Sequence, residues 1–318
     1  MAADKTRVQL DQIRALRDEP TSARTLDALK AALAKQHSHV VAAAARHCQD
    51  FALRALGPDL ARAYHRLAAG DARTDPGCVG KQALIEALSA LDHPDPDPFL
   101  HAYAVVQWEK GWGPPTDSAA NLRGHALMAM VGLNVEGTPE RIALLLADKE
   151  PRARSAAARA AVAWGDGSLA RALLLLRVQA GEDEPEVLAD CFEALIGAGA
   201  TDRVLGFLKG GDPVSEAAAL ALGTARVAEA VGALIRWCDL LYDPGARKVG
   251  LLSIGLTRAP EALDHLLDRL ARGGKRGGRE ALDALAVFLP DPAARARIIE
   301  AARLAGLEDE LPEEARGI

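Results

Sequence analysis

The chain has 318 residues, 66 of them alanine, and is 49% apolar, 26% charged and only 4% aromatic, a helix-favouring composition that excludes a mostly β fold. Its 38 Lys and Arg against 44 Asp and Glu give a net charge of −6, and no third of the sequence carries a strong basic excess, which argues against nucleic acid as the partner. A length that would ordinarily make about two domains is read here as one repeating body.

The first predicted elements are helices over 5–18 and 24–35, with Thr21 or Ser22 as an N-cap between them. Residues 1–37 are thus expected to cap the array. Helix pairs follow at 40–56 with 58–69 and at 79–91 with 99–108, and a further first helix at 118–133 is reached only after 109–117, where Gly, Pro and tryptophan crowd together. Residues 38–134 are therefore read as irregular repeats with an inserted loop at 109–117.

From 135 to 275 the repetition is regular. The segments from Asp148, Asp183, Gly211 and Tyr242 share one grammar: an acidic residue and a proline, a run of small and aliphatic residues, and a closing glycine. The prolines fall at 151, 185, 213 and 244, and the glycines at 132, 165, 197, 223 and 255. Proline in the first helical turn sacrifices no internal hydrogen bond, and the acid before it complements the positive helix start. The glycine is expected to supply a left-handed cap. A second amphipathic helix is predicted after each, at 139–147, 169–179, 202–209, 227–238, 260–271 and 292–305. The alanines at 155–161 and 217–221 let neighbouring pairs approach closely.

These segments resemble HEAT repeats, especially the short bacterial kind that also occurs in bilin-lyase-like proteins. The resemblance covers 138–273 and extends more loosely over 38–134 and 276–305. It implies an all-α fold, a right-handed α-solenoid of about eight stacked antiparallel helix pairs. A C-terminal capping repeat and acidic tail are read over 276–318, with Glu308, Asp309, Glu310, Glu313 and Glu314 expected to be frayed and solvated. The family holds scaffolds, adaptors, DNA glycosylases and chromophore lyases, so fold alone does not choose among functions.

Three clusters are candidate sites. The first is the inserted loop, with Trp108 and Trp112 among Glu109, Lys110, Asp117, Arg123 and His125; its alternative is that Trp108 closes a widened core. His93, Asp95, Asp97 and His101 beside it offer metal-ligand chemistry, but in neither a calcium-loop nor an HExxH spacing. The second is Arg141, Arg171 and Arg203, at intervals of 30 and 32 near the starts of second helices, where with Glu140, Asp166 and Asp202 nearby an acid and arginine ladder would bind neighbouring turns. The third is Arg269, Arg272, Lys275, Arg276 and Arg279 around GGKRGG, read as a solvated turn without the Ser or Thr of a P-loop.

Cys48, Cys78, Cys191 and Cys238 form no CxxC pair and read as buried helix residues. Neither a secretory signal nor an apolar run long enough for a membrane span is written, so the cytoplasm is the expected location. No catalytic motif, metal site or cofactor fingerprint is found. The expected function is a non-catalytic scaffold or adaptor that binds another protein, with Trp108, Trp112, Arg171, Arg203, Arg226, Arg236 and Arg269 as contact residues. A DNA-processing enzyme of the glycosylase kind, or a bilin-lyase-like protein, is the alternative.

Overall fold

The computed structural model describes residues 2–111 and 113–312, with side chains from Thr6 onward. Trp112 and the acidic residues Glu313 and Glu314 lie outside the described residues. Among the described residues the fold is all-α but for one two-stranded ribbon. In chain order the helices are α1 Ala2–Ala15, α2 Ala23–Leu33, α3 Ser38–Asp50, α4 Gly57–Ala68, α5 Val79–Ala90 and α6 Asp97–Tyr103. The ribbon follows, β1 Trp108–Glu109 pairing antiparallel with β2 Thr116–Asp117. Then come α7 Ala120–Gly132, α8 Thr138–Leu146, α9 Pro151–Ala163, α10 Gly167–Gln179, α11 Pro185–Gly197 and α12 Thr201–Leu205. The last six are α13 Pro213–Thr224, α14 Val231–Asp239, α15 Pro244–Leu256, α16 Pro260–Arg272, α17 Gly274–Leu285 and α18 Pro292–Leu304. Among the described residues no helix is long and apolar enough to cross a membrane.

Contacts divide the chain into two compact units, Met1–Trp164 and Gly165–Ile318. Within each, first helices stack on first helices: α3 on α5, α5 on α7 and α7 on α9 in one unit, α11 on α13, α13 on α15 and α15 on α17 in the other. Second helices lean on the first helix that follows, as α4 does on α5, α8 on α9 and α16 on α17. The core is thus a row of short-range contacts, each helix burying residues such as Leu84, Leu127, Leu188 and Leu251 against its neighbours.

The helix starts form as the Asp-Pro and Glu-Pro pairs predict, with one chemical distinction. Asp212, Asp243 and Asp291 accept hydrogen bonds from Ser215, Ala246 and Ala293 amides at 2.9, 2.8 and 3.0 Å. Glu150 and Glu184, one methylene longer, make no such cap bond. Ser22 rather than Thr21 caps α2, accepting from the Thr25 amide.

The helix ends correct the role expected of glycine. Only Gly165 of the five closing glycines has a left-handed backbone. Elsewhere that conformation comes later, at Asn134, Gly199, Arg226 and Arg258. After Arg258 the Ala259 amide bonds the Thr257 hydroxyl, but after the other three an apolar residue donates a six-residue bond back into the helix, Val135 to the Met130 carbonyl, Ala200 to Leu195 and Val227 to Leu222. This is the Schellman closure, and it recurs at Leu53 and Leu307. Gly223 and Gly255 instead lie inside α13 and α15. A Cβ at Gly223 would stand 2.5 Å from the Ser253 carbonyl, and one at Gly255 2.6 Å from that of Ala284. These glycines let successive helices cross backbone to backbone.

Three further expectations change. GGKRGG is not a turn but the opening of α17, with Gly278 closing on Leu307 and the Leu270 carbonyl. Residues 202–209 keep a helix only to Leu205, then continue as turns. The acidic end is not wholly solvated: Glu308–Glu310 form a 3-10 turn, Glu310 pairs with Arg279, and Leu311 is buried.

Candidate functional site

The inserted loop rests on a buried polar network assembled from the turn before α5, α5, the ribbon and the start of α7. Pro76–Cys78 make a 3-10 turn in which Gly77 and Cys78 take φ of 68° and 53°. That reversal aims the first amides of α5 back at Asp75, whose carboxylate accepts from Gly80 at 2.8 Å and Lys81 at 2.9 Å. An acid at a helix start is favoured by both amides and dipole. Asp75 is wholly buried, and Lys81, also buried, places its ammonium 3.6 Å from it. Buried charges persist only when so matched.

Gln107 carries the network from α5 to the ribbon. Its Oε1 accepts from Lys81 Nζ at 2.7 Å, while Nε2 donates to the Asp75 carbonyl at 2.9 Å and to Glu109 Oε1 at 2.5 Å. The same Glu109 oxygen accepts from the Gly77 amide and the Ser118 hydroxyl, both at 2.7 Å. Burial pushes the Glu109 carboxyl up, and these donors outweigh it, holding it below the usual carboxylate range. Cys78 sits beneath, its Sγ 3.7 Å from the Ser118 hydroxyl, and burial pushes its thiol up.

The other end is charged. Asp117 accepts from the Gln107 and Ala119 amides at 2.8 and 3.0 Å and from Arg123 Nη1 at 2.6 Å. Arg123 is buried and spends its remaining donors on the Val105 carbonyl at 2.9 Å and, bidentately, on Asp148 at 3.0 Å. Burial acts against both charges. The amide and arginine bonds prevail at Asp117, and the two aspartates prevail at Arg123, so the first is lowered and the second raised.

This network fixes backbone on both sides of the ribbon and leaves the ribbon's outer face open. Trp108 is 55% exposed and Val106 57%. Lys110, Gly111 and residues 113–116 are exposed as well. Trp108 therefore lies on a strand rather than closing a helix, and it does not fill the core. Of the residues singled out around it, Glu109, Asp117 and Arg123 belong to the network, and His125 pairs with Glu86 at 3.0 Å.

The histidine and aspartate cluster is scattered among other partners. His101 Nδ1 meets the Tyr64 hydroxyl at 2.9 Å, His65 pairs with Asp97 at 3.3 Å, and Asp95 turns onto the Asp97 amide.

The arginine ladder forms only in part. Arg171 reaches the Ala198 carbonyl at 3.0 Å, bridging α10 to the end of α11, whereas Arg141 bonds the local Glu136 carbonyl and Arg203 stays exposed beside Asp202. Asp166 caps α10 rather than meeting an arginine. Longer-range ion pairs about one repeat apart do occur elsewhere, as Arg54–Asp92, Arg247–Glu280, Lys248–Asp283 and Arg297–Asp264. In the third cluster Arg269, Arg272, Arg276 and Arg279 each meet an acid, Asp239, Asp268, Glu280 and Glu310 respectively. Arg226 and Arg236 are exposed.

By class, then, the chain is an all-α array of helix pairs carrying one ribbon on a buried polar base. No protein-family profile and no curated protein matches it. A crystal structure of an engineered protein from the Northeast Structural Genomics Consortium is similar at 17% identity over 96% of this chain and 88% of that one, with a TM-score of 0.35. A likeness that weak assigns neither family nor function.

Proposed function

We propose that the protein is a non-catalytic scaffold or adaptor of the HEAT-like kind, and that the ribbon docks another protein. The observation that carries this reading is a tryptophan held 55% exposed on a strand whose base is fixed by buried charges. A fixed loop loses little freedom on binding, and tryptophan is enriched among the residues that carry most interface energy. The wider frame proposed is a right-handed solenoid of about eight helix pairs whose second helices line a concave face. Exposed Arg203, Arg226 and Arg236 are the contact residues proposed there, while Arg171 and Arg269 are engaged with their own unit.

Immobilised wild-type protein and Trp108→Ala are compared for capture from native cell extract, with circular dichroism and melting as controls. A dominant partner retained by wild type and lost by the variant at unchanged melting is expected. Equal capture by both removes the ribbon from the interface. X-ray scattering tests the frame: a radius of gyration near the roughly 20 Å of a compact 318-residue globule would refute a solenoid.

A further inference from the structure

We propose that the cleft between α1 and α3 is a binding site for a small phosphate ester. The cleft encloses about 300 Å³, the lower end of the range for small-ligand sites. One face of the α1 segment supplies Arg14 and Arg17, and one face of α3 supplies His39, Arg46 and His47. Leu10 and Ile13 form an apolar wall, and among the described residues no acidic side chain lines the cavity. In a chain of net charge −6, such a concentration of guanidinium groups is a local departure from the whole.

Two observations favour a ligand there. His47 is only 2% exposed, yet neither ring nitrogen has a hydrogen-bond partner. A buried polar group left unmatched costs about 1–3 kcal/mol, so native structures rarely keep one without a use. The ring is held in place against Phe51, with centroids 4.7 Å apart. The second observation is Arg46, which is exposed at the cavity and has no ion-pair partner among the described residues.

The remaining charges say which ligand fits. Arg14 pairs loosely with Asp11 at 3.4 Å, and Arg17 pairs with Asp50 while lying over the Phe51 ring. Arg46 and the His47 ring are therefore the groups left to an incoming oxyanion, with Arg14 and Arg17 reinforcing the field. Planar guanidinium donors match phosphate oxygens. The volume exceeds that of a bare phosphate, and the apolar wall at Leu10 and Ile13 accommodates the carbon portion of the ester. Burial, then Arg17, hold the His47 pKa below its ordinary value, with Asp50 opposing them; a bound dianion opposes that depression and so raises the imidazole pKa.

The test follows the imidazole proton signals of the full-length protein by NMR, with His47→Gln identifying the resonance. The probes are inorganic phosphate, ribose 5-phosphate, ribose, and chloride at matched ionic strength. Phosphate and ribose 5-phosphate are expected to move the His47 signal saturably and raise its pKa, ribose 5-phosphate at the lower concentration. Ribose and chloride are expected to leave it in place. Arg46→Gln, at an exposed position that leaves melting unchanged, should weaken ribose 5-phosphate binding by about tenfold, the effect of one charge-assisted hydrogen bond. The same response to chloride as to phosphate, or undiminished binding by Arg46→Gln, would overturn the site.

Discussion

The ribbon region of the first unit and the stacked helices of the second solve the same problem by opposite means. Around the ribbon the chain is irregular, and buried charges hold it: Asp75 with Lys81, and Asp117 and Asp148 with Arg123. Along α13, α15 and α17 the chain is regular, and small residues hold it, with Gly223 and Gly255 set against the next helix's carbonyls. Repeating helices satisfy their own backbone and need only close approach. A non-repeating segment leaves amides and carbonyls unmatched, so side chains must supply what the helix no longer does. The polar network is the consequence of inserting irregular backbone into a helical stack.

The largest expected effect comes from breaking the charged end of the network. Arg123→Ala leaves Asp117 buried without its cation and releases Asp148 and the Val105 carbonyl together. Removing one partner of a buried pair costs about 3–5 kcal/mol. Chemical denaturation should show that loss, and hydrogen exchange should place it around the ribbon and the start of α7. Arg123→Lys should restore only part, because an ammonium cannot span Asp148 bidentately. A loss under about 1 kcal/mol in Arg123→Ala would mean that the network does not hold the ribbon.

In the second unit the corresponding break is steric. Gly223→Ala puts a methyl group 2.5 Å from the Ser253 carbonyl, and only separation of α13 from α15 relieves it. Overpacking of this kind costs about 1–3 kcal/mol, against a helix-propensity gain of about 1 kcal/mol for alanine over glycine. A net loss is expected. Gly132→Ala is the matched control, since a Cβ there meets nothing within 4 Å, and it should be neutral or stabilising. If both variants behaved alike, the glycines would not be setting the helix spacing.

How far these two regions are legible in sequence follows from the same difference. Helix starts are legible because Asp212 and Pro213, or Asp243 and Pro244, act on amides within one turn. The closing glycines are visible as a pattern but not as a mechanism: the left-handed residue is Asn134, Arg226 or Arg258 instead. The apolar residue that follows each, such as Val135 or Val227, was the available signal. Within the site, Trp108, Glu109, Asp117 and Arg123 stand out in sequence, whereas Asp75, Lys81, Gln107 and Asp148 do not. Their bonds span separations of 26 and 25 residues, as Lys81 to Gln107 and Arg123 to Asp148, and no local spacing encodes them. Lys81 alone gave a hint, as a charge on the otherwise apolar face of α5 that also carries Leu84, Ile85 and Leu88.

Acid should separate the two units by a smaller margin. In the first, Glu109 and Asp117 are both held below the ordinary carboxylate range, against the opposing push of burial. A carboxyl depressed in the folded state contributes stability above its unfolded pKa of about 4, and that contribution disappears as pH falls through the folded value. In the second unit the effects oppose each other. Glu280 is lowered, chiefly by its hydrogen bond from Arg247. Glu216 is raised by burial and by Asp243 and Asp212, so its protonation as pH falls relieves the fold rather than weakening it. Protection factors from hydrogen exchange at about pH 6 and about pH 3, on either side of that window, read each unit by itself. The Gly77, Gln107 and Ala119 amides, bonded to the Glu109 and Asp117 carboxylates, should lose protection at the lower pH more than amides within α13 and α15. The reverse order would show that the ribbon's charges are not what hold it in place.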